Sequence, residues 1–205
     1  MTDPLLMLRR LREGNRRFVD GRAAASLGHQ FMPMEDQTPE AVILGCSDSR
    51  VPAEIIFDQG PGDLFVIRVA GNIVAPSQSA SVEFAVTRYG TRLVVVLGHS
   101  RCGAILATLE AFRAGHAGDS AHMNSIVDRV RPSIQAVLQL GAHLDEETLI
   151  REAVRANIRA SVQQLTHSSV RLEALVAKGE VLIVGAKYCL ATGAVEFLDL
   201  GTEAR

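Results

Sequence analysis

Four short apolar runs, separated by segments with helical character, constrain the fold of this chain most. They are rich in β-branched residues and occupy positions 41–45, 64–69, 93–98 and 181–186. Continuous apolar runs of this length predict strands that are buried on both faces. Helical segments are predicted at 52–58, 78–90 and 102–115, with two or three more between 125 and 175. Strands that alternate with helices predict an α/β fold with a mostly parallel central sheet flanked by helices.

The two ends of the chain depart from this alternation. Apolar residues recur between arginines at positions 5–11, which predicts an amphipathic helix that begins at Asp3. Residues 1–36 are therefore expected to form a helical arm and a loop, packed on their own domain or on a partner. Near the other end, a turn at 192–193 predicts a final strand that returns antiparallel. The expected sheet has four parallel strands and this antiparallel edge strand.

Length and composition exclude several classes of protein. A chain of 205 residues with 47% hydrophobic residues is expected to form one domain, 1–205. A net charge of −2 supplies no positive field for nucleic acid, and no apolar run reaches the ~20 residues that span a membrane. Three cysteines are an odd number and indicate a reducing, cytoplasmic setting. The best candidate for a mobile surface loop is 115–120.

Reactive side chains follow two of the predicted strands. Cys46, Asp48 and Arg50 come directly after the first strand, and His99 and Cys102 follow the third. In open α/β sheets, functional groups collect beyond the carboxyl ends of the strands. Two thiolates and one imidazole form a three-ligand zinc set that leaves a fourth position for water or substrate.

A non-metal interpretation of these residues is also open. Free cysteines are among the most buried residues, and a histidine in a turn commonly bonds only to the backbone. The pair Asp48 and Arg50 could likewise be a structural ion pair. Two opposite charges directly after a buried strand cost free energy to desolvate. A functional role beside a metal would explain that cost, so the zinc hypothesis is favoured.

The motifs "CSDSR" and "GHSRCGA" resemble the Cys-x-Asp-x-Arg and His-x-x-Cys signatures of the beta-class carbonic anhydrases. The similarity extends through residues 50–72 and, more loosely, to the C-terminal "GAKYCLATGAVEF". It implies one zinc ion per subunit, held by Cys46, His99 and Cys102. It also implies reversible hydration of CO2 by zinc-bound hydroxide, which the pair Asp48 and Arg50 orients, in a homodimer or a dimer of dimers.

The same resemblance implies a substrate pocket. Gln37, nine positions before Cys46, matches the amide that hydrogen-bonds substrate or bicarbonate. The positions that match the rest of the pocket are Phe65, Ala70, Phe84 and Gly103. Because the family builds this pocket at a dimer interface, Gln37 or the aromatic residues can come from the neighbouring subunit.

One regulatory feature of the family is incomplete in this chain. Some members are inhibited when bicarbonate binds near a Trp, an Arg and a Tyr, and the aspartate then moves onto zinc. Arg68 and Tyr188 match two of these positions, but Ile43 occupies the place of the Trp. We therefore expect an open site at neutral to basic pH, with Arg50 engaging Asp48.

Two alternatives remain for the function. The motifs do not separate CO2 from carbonyl sulfide or carbon disulfide, so a hydrolase of these substrates on the same zinc site is possible. A catalytically silent protein that binds zinc or bicarbonate is the other alternative. No dinucleotide-binding or phosphate-binding glycine motif is present.

Overall fold

The computed structural model describes residues 3–23, 37–115, 120–140 and 143–199. Seven α-helices and five strands lie in these ranges, and most of their bounds fall close to the predicted ones. The helices are α1 Pro4–Val19, α2 Ala53–Ile56, α3 Pro76–Tyr89, α4 Gly103–Ala114, α5 Ala121–Leu140, α6 Glu146–Thr166 and α7 Val170–Ala177. The strands are β1 Ala41–Gly45, β2 Leu64–Arg68, β3 Leu93–His99, β4 Leu182–Tyr188 and β5 Val195–Leu198.

The strands form one sheet in the order β2-β1-β3-β4-β5. Strands β1 to β4 are parallel and β5 is antiparallel to β4, which confirms the predicted architecture. The carboxyl ends of β1 and β3 are neighbours, since Gly45 pairs with Leu97. The segments that follow these two strands therefore meet at one edge of the sheet.

Alternating side chains of the central strands build a core on each face. Val42 and Val94 belong to the cluster that includes residues of helices α3 to α7, whereas Ile43 and Val95 belong to the cluster that includes α1 and α2. Both faces of β1 and β3 are buried along their whole length. This explains why these strands have no polar face in the sequence.

The N-terminal helix packs on its own domain. Asp3 caps α1 by accepting a hydrogen bond from the Leu5 N–H at 2.9 Å, and Pro4 occupies the first turn, as predicted. Gly14 lies so close to the carbonyl of Phe57 that a Cβ atom there would be 1.8 Å from its oxygen. Buried Asn15 donates to the carbonyls of Ile56 and Gly193 and accepts from the Val195 N–H. These contacts join α1 to the α2 region and to the β4-β5 hairpin.

The long segment between β3 and β4 holds three helices after α4. Helix α5 begins at Ala121, a little before the predicted position 125, and contains Pro132. Helix α6 is capped by Asp145, and α7 is capped by Ser169. The predicted surface loop begins at Gly115, whose left-handed backbone ends α4, but its positions 116–119 lie outside the described residues. Positions 24–36 of the predicted arm and loop also lie outside them.

Candidate metal centre

Three side chains converge beyond the carboxyl ends of β1 and β3. Cys46 directly follows β1, His99 is the last residue of β3, and Cys102 is the N-cap of α4. All three are buried, and their ligand atoms lie within 4.8 Å of one another. The two sulfur atoms are 3.9 Å apart. The structure thus brings together the three residues that the sequence predicted as a zinc set.

The geometry of these atoms fits a zinc ion. Two thiolates at the usual Zn–S distance in a tetrahedral site are about 3.8 Å apart, close to the separation of Cys46 and Cys102. His99 Nδ1 is 3.1 Å from the carbonyl oxygen of Ser100, which fixes the proton on that nitrogen. His99 Nε2 is buried and has no hydrogen-bond partner among the described residues. A metal ion would satisfy that nitrogen, whose burial without a partner is otherwise costly.

The pKa shifts of the Cys46 and Cys102 thiols also favour a cation at this site. A hydrogen bond from Cys102 lowers the pKa of Cys46 well below its ordinary value, burial opposes this shift, and the Gly71 N–H adds to it. The pKa of Cys102 is raised, because its proton is held by Cys46 and because burial disfavours a second thiolate. These opposite directions favour a thiolate on Cys46 and a thiol on Cys102. A divalent cation would stabilise both as thiolates.

Asp48 lies beside this cluster and is held by Arg50. The Arg50 Nε and a terminal nitrogen donate to the two carboxylate oxygens at 2.9 and 2.8 Å, and the Arg50 N–H adds a third bond at 3.0 Å. These bonds hold the pKa of Asp48 far below its ordinary range. One Asp48 oxygen is 3.8 Å from His99 Nε2. An ionised carboxylate is thus fixed at the edge of the candidate metal site.

Arg68 holds the backbone of the Cys46 loop. Its guanidinium donates to the carbonyl of Cys46 at 3.1 Å and to that of Asp48 at 2.5 Å. Tyr188 is buried beside His99 in the sheet, and burial raises its pKa. Ile43 is fully buried in β1. The sequence analysis connected Arg68 only with bicarbonate regulation. The structure shows that Arg68 also holds the backbone of the loop that carries Cys46 and Asp48.

A 3-10 turn at Ala70–Asn72 completes the surroundings of Cys46. Gly71 has a φ of 72°, and its N–H points at the Cys46 sulfur at 3.4 Å. Helix α6 holds this turn through two buried side chains. Asn157 donates to the Gly71 carbonyl at 2.9 Å, and Ser161 donates to the Asn72 carbonyl at 3.1 Å. Asn157 and Ser161 are spaced i, i+4 on the buried face of α6. This polar pair is the sequence signal from which their contact with the 3-10 turn was predictable.

The predicted pocket residues divide into two groups. Ala70 opens the 3-10 turn beside Cys46, and Gly103 follows Cys102 with open space where a Cβ would lie. Gln37, Phe65 and Phe84 form a separate cluster around Tyr89. The Gln37 amide donates to the Tyr89 hydroxyl at 2.9 Å. The sequence did not single out Tyr89.

The strand geometry places this aromatic cluster far from Cys46, His99 and Cys102 of the same chain. Phe65 pairs with Val42, four residues before Cys46, and Gln37 precedes β1 altogether. At roughly 3.3 Å per residue, Phe65 lies about 13 Å from Cys46 along the strand direction, and Gln37 lies farther still. Phe84 is 51% exposed. Within one chain, the structure does not bring these three side chains to the metal centre.

Other residues considered in the sequence lie away from the centre. His122, His143 and His167 are exposed, whereas His29 and His116 lie outside the described residues. Cys189 is half-buried and unpaired. None of the described helices combines the length and the apolar character needed to cross a membrane.

Comparison with known proteins decides the family. The family model described as "Carbonic anhydrase" matches residues 41–195. The chain belongs to the beta-carbonic anhydrase family. Carbonic anhydrase 2 of Mycobacterium tuberculosis is 38% identical over 97% of this chain and 94% of its own length.

Solved structures agree with this assignment. The beta-carbonic anhydrase CcaA has a TM-score of 0.72 at 28% identity, covering 94% of this chain and 95% of its own. A tetrameric beta-carbonic anhydrase from Sordaria macrospora has a TM-score of 0.71 at 26% identity, covering 82% of this chain and 84% of its own. Membership makes this chain an enzyme of the carbonic anhydrase type, whose reaction is CO2 hydration, and its Cys-His-Cys cluster is able to bind zinc.

Proposed function

We propose that this enzyme hydrates CO2 with a hydroxide that Asp48 orients and that Arg50 keeps Asp48 in place for this task. The observation that carries the proposal is the two-point bond between Arg50 and the Asp48 carboxylate beside His99. An ionised carboxylate only accepts hydrogen bonds. Asp48 can therefore accept the hydrogen of the attacking oxygen and direct a lone pair toward the carbon of CO2.

Cys46, His99 and Cys102 would hold one zinc ion through their sulfurs and Nε2. A zinc ion held there would lower the pKa of a water molecule from ~16 to about 7 and so would supply hydroxide at neutral pH. The protein contributes the three ligands and the carboxylate that aligns the attacking oxygen. Arg50 prevents Asp48 from turning toward the cation, because its fork geometry matches both carboxylate oxygens.

The substrate pocket is completed by a second copy of the chain. Ala70 and Gly103 supply the wall near the metal, and Gln37, Phe65 and Phe84 come from the neighbouring subunit. The distance of the aromatic cluster from Cys46 and the exposure of Phe84 support this arrangement. Apolar walls suit CO2, which has no charge to bind. The assembly is accordingly a homodimer or a dimer of dimers, and two reduced zinc thiolates fit a cytoplasmic setting.

Stopped-flow CO2 hydration by the zinc-loaded protein near pH 8 tests the proposal. We expect rapid hydration that falls about 100-fold or more in Asp48→Ala, because the attacking oxygen loses its alignment. Zinc content and folding should stay unchanged in this variant. Negligible hydration at full zinc occupancy would overturn the proposal and favour the silent zinc-binding alternative.

The same preparation separates the two substrate classes. Hydration of CO2 and hydrolysis of carbonyl sulfide are measured side by side at equal enzyme concentration. We expect CO2 to be the faster substrate. Faster turnover of carbonyl sulfide would show that the access channel selects the sulfur compound.

A further inference from the structure

A cavity of about 440 Å³ lies next to the metal centre, between the His99–Cys102 loop, helix α6 and the end of β4. Ser100 and Arg50 both border it. None of the pocket residues implied for CO2 lines it. Its volume falls in the range of small-molecule sites, roughly 300 to 1,000 Å³. We call it the α6 cavity.

The described lining of the α6 cavity is rich in positive charge. Arg50, Arg101, Arg151 and Lys187 line it, and Glu147 is the acidic residue among the described lining. Two of the cations have close partners, because Arg50 binds Asp48 and Lys187 lies 3.2 Å from Glu196.

The other two cations keep donors free. The Arg151 Nε donates to half-buried Glu152 at 3.4 Å, and one terminal nitrogen donates to the Thr148 hydroxyl at 3.1 Å, which leaves the other terminal nitrogen without a partner among the described residues. Arg101 is exposed and has no ion-pair partner among the described residues. Donors on Arg101 and Arg151 are therefore available to an anion, and a guanidinium matches a planar carboxylate well.

The rest of the lining is apolar. Ile150 and Val154 are buried side chains of α6 that line the cavity, and Leu190 and Ala191 line it from the loop after β4. A fully hydrated inorganic anion would leave this surface unused. A compact apolar group that carries one carboxylate would use both parts of the lining.

We propose that the α6 cavity binds a small organic monocarboxylate and that its occupancy lowers the rate of CO2 hydration. The carboxylate binds Arg101 and Arg151, and the apolar body packs on Ile150 and Val154. The effect on rate rests on the proposed function, whereas binding does not.

Arg50 connects the cavity to the catalytic pair. A guanidinium has five N–H donors, and two side-chain bonds go to Asp48. The remaining donors are available to a carboxylate in the cavity, which would offset the charge that holds Asp48. Ser100 is a second connection, because its carbonyl accepts from His99 and its hydroxyl accepts the Leu190 N–H at 2.9 Å.

Cys189 offers a direct measure of occupancy, because it lines the same cavity. A hydrogen bond from Thr192 lowers the pKa of its thiol, which favours alkylation. The zinc-loaded protein is treated with neutral iodoacetamide at constant ionic strength, and alkylation of Cys189 is followed by mass spectrometry. Benzoate is the probe, and benzamide is its uncharged control. We expect benzoate to protect Cys189 and benzamide to protect it much less.

Three variants make the test specific. Arg151→Gln should raise the benzoate concentration for half-protection about fivefold, and Glu147→Gln should lower it by a similar factor. Arg9→Gln, an exposed arginine on α1, is the matched control and should change nothing. Equal protection by benzamide, no protection by benzoate, or an unchanged half-protection concentration in Arg151→Gln would overturn the site.

Hydration kinetics test the coupling separately. Benzoate should reduce CO2 hydration over the concentrations that protect Cys189, and the inhibition should shift with the Arg151→Gln variant. Protection without inhibition would overturn the coupling, and so would inhibition that ignores this variant. If the zinc-loaded protein hydrated no CO2 at all, the proposed function would fail while Cys189 protection still reported on the site.

Discussion

Asn157 on helix α6 donates a hydrogen bond of 2.9 Å to the carbonyl of Gly71, whose own N–H points at the Cys46 sulfur. The amide side chain is 3% exposed, so water does not replace this bond easily. A buried helix side chain thus positions a donor to a candidate metal ligand. Residues that orient metal ligands in this way commonly tune metal affinity.

Replacing Asn157 by Ala should therefore affect both folding and zinc. An unsatisfied Gly71 carbonyl costs about 1–3 kcal/mol of unfolding free energy, measurable by urea denaturation. Zinc affinity, measured by competition with a chelator where the variant is folded, should fall about tenfold. Gln164→Ala, an exposed position on the same helix, is the control. An unchanged zinc affinity would show that Asn157 serves packing alone.

Two cysteine variants form a matched pair that tests the zinc ligands. Cys46→Ser should abolish stoichiometric zinc binding, because one of three ligands is removed. Cys189→Ser should retain one zinc per subunit, since Cys189 is not part of the Cys-His-Cys cluster. Elemental analysis after dialysis against a weak chelator measures both. Full zinc in Cys46→Ser would contradict the assigned ligand set.

The proposed shared pocket can be tested by complementation. Asp48→Ala inactivates the metal side of a site, and Gln37→Ala weakens the side supplied by the neighbour. If the two variants are unfolded and refolded together, a mixed dimer contains one intact site, so about a quarter of the sites should regain full activity. Activity no higher than the average of the two separate variants would place Gln37 in the site of its own chain.

Close packing of α1 on the domain gives a stability prediction. Gly14→Ala would place a Cβ 1.8 Å from the Phe57 carbonyl oxygen, so the helix must shift. Overpacking of this kind costs about 1–3 kcal/mol. Urea denaturation should show this loss, whereas Glu13→Ala at the adjacent exposed position should change little. Equal stability of Gly14→Ala and the unchanged protein would mean that α1 is not anchored here.

The ion pair of Arg159 with Asp199 predicts a pH dependence of stability. The Arg159 hydrogen bond lowers the pKa of Asp199 in the folded protein. Its stabilisation is therefore complete above the unfolded pKa, near 4, and is lost as the pH falls through the lower folded value. Because both side chains are largely exposed, Asp199→Asn should cost under about 1 kcal/mol at pH 7. Asn also tolerates the φ of 53° at this position. The cost should shrink progressively as the pH falls below about 4; a cost that stays constant would refute the electrostatic cause.

Local patterns in the sequence predicted the sheet well. Strand β1 has the predicted bounds because its apolar run ends abruptly at Cys46. Strand β4 runs two residues beyond the apolar run at 181–186, as the predicted terminal hairpin requires, since Lys187 and Tyr188 pair with β3 and β5 despite their polar groups. Strand pairing, which local hydrophobicity does not encode, decides that boundary.

The candidate site was predictable only where its residues form compact motifs. Cys46, Asp48 and Arg50 lie within five positions, so their proximity follows from the chain itself. Asn157 and Gly71 are 86 positions apart and meet only through the packing of α6 on the 3-10 turn. The resemblance named Gln37 and Phe65, but their distance from Cys46 became visible only from the strand register.

The central claim is that Asp48, held by Arg50, acts on the attacking oxygen and does not bind the metal. The most direct test is the fourth ligand of zinc, seen in a crystal structure of the zinc-loaded protein near pH 8. We predict an oxygen from solvent as that ligand, with both Asp48 oxygens on Arg50 as in the present structure. An Asp48 oxygen within bonding distance of zinc at that pH would contradict the claim.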